Sequence, residues 1–280
     1  MTKIAPPRIR LLSLLTLTAL LAGCGNRIHP LPRRLADLEE PSLADTLRKS
    51  LNATGSVQLW DNWQSLDAAV ITTAYDQDQG QLLLRQTITG YADGNLALTL
   101  TTERPEGRFI EKIDNKRHVS VLRDAQDALY ENTDPQDRYA TAVKLRLILH
   151  ALSPATLLDP DLNLRYVTLE RKGGRPMHKI EVAGKLFADA KPFAGALGDL
   201  LIVWIDAETY RIRRLWIRYQ ISPTDFQYLA LNVNQYEQTD SGLFFPTLLE
   251  LARSDHHQQE SANRIFTSEL MQTQAGVSQP

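Results

Sequence analysis

The stretch NLALTLT, residues 95–101, decides the class of fold that the sequence predicts. Leu96, Leu98 and Leu100 alternate with alanine or threonine, which is the period-two pattern of a strand with one buried face. Similar runs recur along the chain, and short turn sequences such as Asp93-Gly94 separate them, so we expect antiparallel neighbours. The other predicted strands lie at about 66–75, 81–90, 108–114, 117–123, 162–171, 176–183, 199–206, 209–220, 226–237, 243–252 and 263–271.

This pattern predicts a mainly β (α+β) protein with one strongly curved antiparallel sheet of about eleven strands. Twist accumulates by roughly 20–25° per strand, and open sheets of more than about ten strands rarely stay flat. Two helices are predicted, one from the apolar stripe Leu43, Leu47 and Leu51 and one across residues 138–152. We expect a half-barrel with two or more helices packed on its concave face, and a ligand site at its mouth.

The first residues have the layout of an export signal. Lys3, Arg8 and Arg10 precede the apolar run Leu11 to Leu21 without any acidic residue. As a helix, this run would span roughly 16 Å, about half of a ~30 Å hydrocarbon core, which argues against a permanent transmembrane helix.

The end of this segment, Leu21-Ala22-Gly23-Cys24, resembles the bacterial lipobox at all four positions. The resemblance implies cleavage between Gly23 and Cys24, with diacylglycerol on the Cys24 thiol and an N-acyl chain on the new amino terminus. Two or three buried acyl chains give stable membrane attachment where a single chain does not. Gly25 follows the cysteine where aspartate would imply retention in the inner membrane, so the resemblance implies the outer membrane. Because Cys24 is the only cysteine, the chain has no internal disulfide.

The predicted organisation is a signal peptide at 1–23, a flexible tether at 24–41, a single β domain at 42–271 and a disordered tail at 272–280. Three prolines indicate the tether, and the polar composition of the last residues indicates the tail. Without the three signal-peptide cations, 28 Lys and Arg remain against 33 Asp and Glu. This net negative charge of about five excludes a nucleic-acid-binding role.

Two late stretches, IDAETYRIRRLWIRYQ and LNVNQYEQTDSGLFFP, resemble the bacterial lipoprotein carrier and receptor superfamily with the LolA/LolB-like fold. The resemblance implies a half-barrel that holds acyl chains in a hydrophobic cavity, with a membrane-anchored branch that receives lipoproteins at the outer membrane. The positions that carry it are Asp206, Glu208, Thr209, Arg213, Gly242, Phe245 and Pro246.

An apolar segment between two predicted strands is the candidate lid of a hydrophobic cavity. It contains Phe187, Phe193 and Leu197 together with glycine, where a short polar turn would suffice. These side chains are alternatively a cap on one end of the core. A neighbouring strand alternates Leu229, Leu231 and Val233 on one face, which predicts core lining, or cavity lining if the sheet is incompletely filled.

No catalytic or metal-binding constellation assembles from the sequence. The chain lacks the G-x-S-x-G elbow of serine hydrolases. His256, His257 and Glu260 would share a face on a helix, but they fall between two predicted strands and lack the H-E-x-x-H order. We therefore predict no enzyme activity, no metal site and no cofactor apart from the covalent lipid on Cys24.

The leading hypothesis is an outer-membrane lipoprotein that faces the periplasm and binds acyl chains or lipoproteins during envelope trafficking. The alternative is a non-catalytic scaffold lipoprotein with a solid core whose surface binds another envelope protein. A hydrolase of envelope polymers is disfavoured because no catalytic site assembles. Expected partners are the membrane, through the lipid anchor, and a lipid, lipoprotein or envelope-protein ligand.

Overall fold

A computed structural model of the chain describes residues 30–76, 80–93, 95–104, 107–114, 119–125, 128–131, 134–184, 200–222 and 224–277. Within these ranges thirteen strands form one antiparallel, curved and open sheet, and the predicted half-barrel is confirmed. The strand order is β6-β5-β4-β3-β2-β1-β13-β12-β11-β10-β9-β8-β7. The first six strands and the last seven are therefore two meanders, which are joined through the pairing of β1 with β13.

The strand bounds agree with the alternating runs of the sequence and add the short β6, which the sequence analysis does not predict. The strands are β1 Trp63–Asp76, β2 Gly80–Asp93, β3 Asn95–Arg104, β4 Gly107–Ile113, β5 Val119–Ala125, β6 Ala128–Glu131, β7 Leu162–Lys172, β8 Arg175–Gly184, β9 Leu200–Asp206, β10 Ile212–Ser222, β11 Asp225–Gln238, β12 Phe244–Ser254 and β13 Glu260–Val277.

Four α-helices and one 3₁₀ helix accompany the described strands. They are α1 Leu31–Ala36, α2 Pro41–Ala53, α3 Val57–Asp61, α4 Pro135–Leu152 and the 3₁₀ helix Pro154–Leu158. The Asp134 carboxylate caps α4 by accepting hydrogen bonds from the amides of Gln136 at 2.8 Å and Asp137 at 3.2 Å. The longest helix, α4, crosses the concave face and packs against β3, β4 and β5 on one side and β10 and β12 on the other.

A continuous apolar core fills the space between the helices and the concave face. Leu43, Leu47 and Leu51 of α2 belong to it, as their spacing predicts, and so do Leu98 and Leu100 of β3. The core extends to both arms of the sheet, so the helices bury most of the concave surface of the half-barrel.

Two segment boundaries differ from the sequence prediction. The second half of the predicted 24–41 tether contains α1, because Leu31 and Leu35 lie one turn apart and bury their side chains in the core. The predicted 272–280 tail is strand as far as Val277, because its backbone pairs with β1 and because Ala275 and Val277 pack against the core. The signal peptide and Cys24 lie outside the described residues.

Candidate ligand-binding groove

The two ends of the half-barrel differ in how fully they are filled. We call the end where β1 begins the closed end, because Trp60 packs there edge to face against Trp63 and Phe245. The ring centroids of Trp60 lie 5.5 Å from those of both Trp63 and Phe245. All three side chains are almost completely buried. Trp60 also donates its indole N–H to the Thr54 hydroxyl at 3.1 Å, so its polar atom is satisfied.

A chain of polar side chains crosses four strands on the concave face. Thr72 of β1 and Ser268 of β13 pair their hydroxyls at 2.6 Å, and Thr72 donates to Gln86 Oε1 of β2 at 2.5 Å. Gln86 Nε2 in turn donates to the Thr102 hydroxyl of β3 at 2.8 Å. Thr72, Thr102 and Ser268 are buried, and Gln86 is half-buried. We call these four residues the polar chain.

Apolar side chains continue beyond the polar chain towards the opposite end, which we call the open end. Along β2 the concave-facing series runs from buried Ile88 through Gln86 to Leu84 and Leu82, which pair with Thr72 and Ala74 of β1. Leu84 is half-buried, and Leu82 is 53% exposed. Phe109 of β4 is half-buried near the same end. Leu82 and Leu84 therefore form an apolar rim at this end, and Phe109, with the Arg104 guanidinium 5.2 Å from its ring centroid, lies two strands away on the side nearest α4.

A cleft of about 290 Å³ lies beside this rim, between α4 and strands β4 and β5. Its apolar wall comes from Phe109, Val121 and Ala140. Glu111 forms an ion pair with Lys144 of α4 and also accepts a hydrogen bond from the Thr141 hydroxyl at 3.3 Å. Burying a carboxylate is costly unless a cation and hydrogen bonds compensate it, and here both are present. The cleft therefore combines an apolar wall with a fixed polar pair.

The sequence-predicted site residues divide into two groups. Gly23, Cys24, Phe187, Phe193 and Leu197 lie outside the described residues, so the anchor and the lid stay predictions. The lid segment connects β8 to β9, and both strand ends lie at the open end.

Leu229, Leu231 and Val233 lie on the concave face of β11 and are buried in the core. Their side chains belong to the continuous apolar core, as the core-lining prediction expects. The side chains that line the concave face towards the open end are Leu82, Leu84, Gln86 and Phe109, and the sequence pattern did not indicate them as site residues. The signal that could have found them is the triple leucine 82–84, where apolar side chains point to both faces of one strand.

The residues that carry the family resemblance have structural roles. Asp206 Oδ1 accepts hydrogen bonds from the amides of Thr209 at 2.8 Å and Glu208 at 3.0 Å, which fixes the turn between β9 and β10. Burial opposes ionisation of Asp206, but these backbone hydrogen bonds, together with the Thr209 hydroxyl and the nearby Arg213 cation, leave its pKa below the ordinary value. Gly242 has a φ of 89° in the turn before β12, a conformation that favours glycine. Phe245 belongs to the aromatic cluster of the closed end.

One further titratable cluster lies where α2 meets the other arm of the sheet. The Tyr166 hydroxyl lies 3.0 Å from His178 Nδ1, and the His178 ring stacks on Tyr210 with centroids 5.5 Å apart. Burial, followed by the nearby Lys49 ammonium, lowers the pKa of His178. Among the described residues, no group of three or more His, Cys, Asp or Glu side chains has the arrangement of a metal site.

Membrane-spanning helices are also not found within the described ranges, where no helix has the length and apolar character needed to cross a bilayer.

Comparison with known proteins rests on structure rather than sequence. No protein-family model matches the sequence, and no curated protein is significantly similar to it. A Vibrio parahaemolyticus domain assigned to outer membrane lipoprotein sorting superposes with a TM-score of 0.55 and 8% identity, over 84% of this chain and 93% of that domain. A LolA superfamily protein from Nitrosomonas europaea gives 0.51 and 10%, over 84% and 94%. The fold is LolA-like.

A DUF1329 family protein from Desulfovibrio piger has the same fold, with a TM-score of 0.53 and 10% identity over 90% of this chain and 95% of that protein. The sequence resemblance at residues 205–246 therefore predicted the fold correctly. At these identities the likeness establishes the fold, and any function has to be argued from the groove.

Proposed function

We propose that this protein binds a hydrophobic ligand, such as the acyl chains of a lipid or lipoprotein, at the open end of its half-barrel. The observation that supports this most directly is the exposure of Leu82 on the concave face next to half-buried Leu84, with a cleft lined by half-buried Phe109 two strands away. Monomeric soluble proteins rarely leave apolar side chains together in a concave site unless something binds there. The polar chain forms the floor of this groove and separates it from the filled core.

The proposal includes attachment to the outer membrane through lipid on Cys24, with the folded domain facing the periplasm. The lipobox resemblance at residues 21–24 supports the attachment, and the LolA-like fold agrees with a role in lipid or lipoprotein trafficking. Incorporation of labelled palmitate, followed by membrane fractionation, tests the anchor directly. A Cys24→Ala chain should lose both the label and membrane association, and continued tight attachment would contradict the proposal.

Ligand binding is best tested with a pair of neighbouring leucines. Leu84→Glu places a charge on the concave face, whereas Leu83→Glu places the same charge on the convex face, where Leu83 is 65% exposed. In the Cys24→Ala background, the affinity for a fluorescent fatty acid should fall about tenfold or more with Leu84→Glu, since a buried unpaired charge costs well over 1.4 kcal/mol. Leu83→Glu should leave it unchanged. Equal effects of both substitutions, or no binding by the parent chain, would refute the groove as the site.

A scaffold function is the second candidate, and the burial of Leu229, Leu231 and Val233 in a continuous core favours it. Organic-solvent extraction of the Cys24→Ala protein, purified without detergent, separates the two functions. Stoichiometric lipid in the extract supports a binding protein. A lipid-free protein that also fails to bind the fluorescent fatty acid supports the scaffold.

A further inference from the structure

The described sheet ends at β7, whose outer side pairs with no other described strand. At eleven residues, β7 is longer than β6, the four-residue strand at the opposite edge. An edge strand presents a row of backbone N–H and C=O groups that another extended segment can pair with. This edge lies on the opposite arm of the sheet from the apolar rim.

The first half of the β7 edge is partly occupied by Glu40, the residue that precedes α2. Its Oε2 accepts a hydrogen bond from the Tyr166 amide at 3.0 Å, so a carboxylate already satisfies one donor of this strand. Beyond a bulge at Val167, the strand pairs regularly with β8 from Thr168 to Lys172. Val167, Thr168 and Leu169 are three consecutive exposed residues, and Leu169 is 54% exposed.

The charge around this edge favours an acidic partner over a second copy of this chain. From Thr168 to Arg175 the segment carries the three cations Arg171, Lys172 and Arg175 against the anion Glu170, whereas Arg165 in the first half of β7 is paired with Glu181. Glu170 is directed away to the convex face, where it accepts the indole N–H of Trp204 at 2.7 Å. A second copy of the chain would bring two net-positive segments together, which is unfavourable between paired strands. An acidic segment would complement the charge.

We propose that the outer edge of β7, from Thr168 to Lys172, binds an extended acidic peptide segment of another protein as an additional strand. Backbone hydrogen bonds supply the affinity in this mode of recognition, and the flanking side chains supply the selectivity. Arg171 contacts an acidic side chain of the peptide, and the exposed Leu169, two positions away on the same face of β7, contacts an apolar one. This interaction is independent of the proposed hydrophobic groove.

The test uses a synthetic peptide with blocked ends and the repeat Glu-Thr-Val-Thr, titrated into the full Cys24→Ala chain; this repeat places Glu and Val in turn on one face of the added strand, opposite Leu169 and Arg171. Hydrogen exchange should show new protection of the β7 amides, and fluorescence anisotropy should give the affinity. Two further versions of this peptide are N-methylated at every second residue, one at the odd and one at the even positions. Each keeps every charge and side chain but can donate backbone hydrogen bonds from only one of its two edges. We expect one of the two versions to bind about tenfold more weakly, because it loses the strand hydrogen bonds.

Two further comparisons test the charge selectivity. A peptide with Lys in place of Glu should bind about tenfold more weakly, and Arg171→Glu should weaken binding of the acidic peptide severalfold. Arg33→Glu, at an exposed position of α1, is the matched control and should have no effect. Equal binding of both N-methylated peptides, or no protection of the β7 amides, would overturn strand addition. Dimerisation that protects β7 in the absence of peptide would overturn the acidic partner in favour of a second copy.

Discussion

Replacing Thr72 by valine tests whether the polar chain stabilises the fold. Valine nearly preserves the shape of threonine, so the change removes a hydroxyl without opening a cavity. That hydroxyl donates to Gln86 Oε1 at 2.5 Å and pairs with Ser268 Oγ at 2.6 Å. After the substitution both partners lose a hydrogen bond. Ser268 is only 7% exposed and cannot recover one from bulk water, whereas half-buried Gln86 can.

A buried polar group without a partner costs about 1–3 kcal/mol, and we therefore expect Thr72→Val to lower the free energy of unfolding by about 2 kcal/mol. With an m value of about 2–3 kcal/mol/M in urea, the unfolding midpoint should fall by roughly 0.7–1 M. Urea titration monitored by circular dichroism and tryptophan fluorescence measures this shift.

Two matched variants decide whether the reasoning is correct. Thr73→Val, on the opposite face of the same strand, should change the stability by no more than about 0.5 kcal/mol. Adding Ser268→Ala to Thr72→Val removes the orphaned hydroxyl and should restore about half of the lost stability or more. The account is refuted if Thr72→Val is no more harmful than Thr73→Val, or if the double variant is less stable than the single one.

Three other predictions concern stability. Phe245→Ala should lower the free energy of unfolding by about 3–5 kcal/mol in the same urea assay, because it opens a cavity in the closed end, whereas Phe244→Ala, at a half-buried position, should cost clearly less. Because the pKa of His178 is lowered, the unfolded chain binds the proton more readily. Stability should therefore fall as the pH drops from about 6.5 towards the lower folded pKa, and His178→Gln should flatten this part of a stability–pH profile. Asp206→Ala should cost about 2 kcal/mol at pH 7, and the difference from the parent chain should shrink in acid, because a carboxylate with a lowered pKa stops stabilising the fold as the pH falls through that value.

The sequence predicted the elements whose signals are local. Leu43, Leu47 and Leu51 mark one face of α2, and the alternation of Leu98 and Leu100 with threonine marks β3, because each element buries one face of its own. Helix α1 was missed because two buried leucines in a proline-containing segment are too few to show a period. The last part of β13 was missed because its side chains are mostly polar, as in a tail, whereas its place in the fold comes from backbone hydrogen bonds with β1.

The groove could not be predicted in the same way because it depends on which strands are neighbours. Thr72 and Ser268 are 196 residues apart, and nothing in either local pattern indicates that β1 and β13 pair. Once that pairing is known, the polar chain follows from the register of four strands. Leu82 was visible in the sequence as part of a triple leucine, but its position on an uncovered concave face is a property of the assembled sheet.

The pairing of the first strand with the last affects how a newly made chain reaches this fold. Each meander uses contacts between sequence neighbours and can begin to form while synthesis continues, whereas the seam between β1 and β13 waits for the final segment. Until then the backbone N–H and C=O groups on the β13 side of β1 have no strand partner, and they can pair with other nascent chains. A ribosome-stalled or prematurely terminated product would therefore be a target for chaperones and proteases, even though most of its hairpins are already complete.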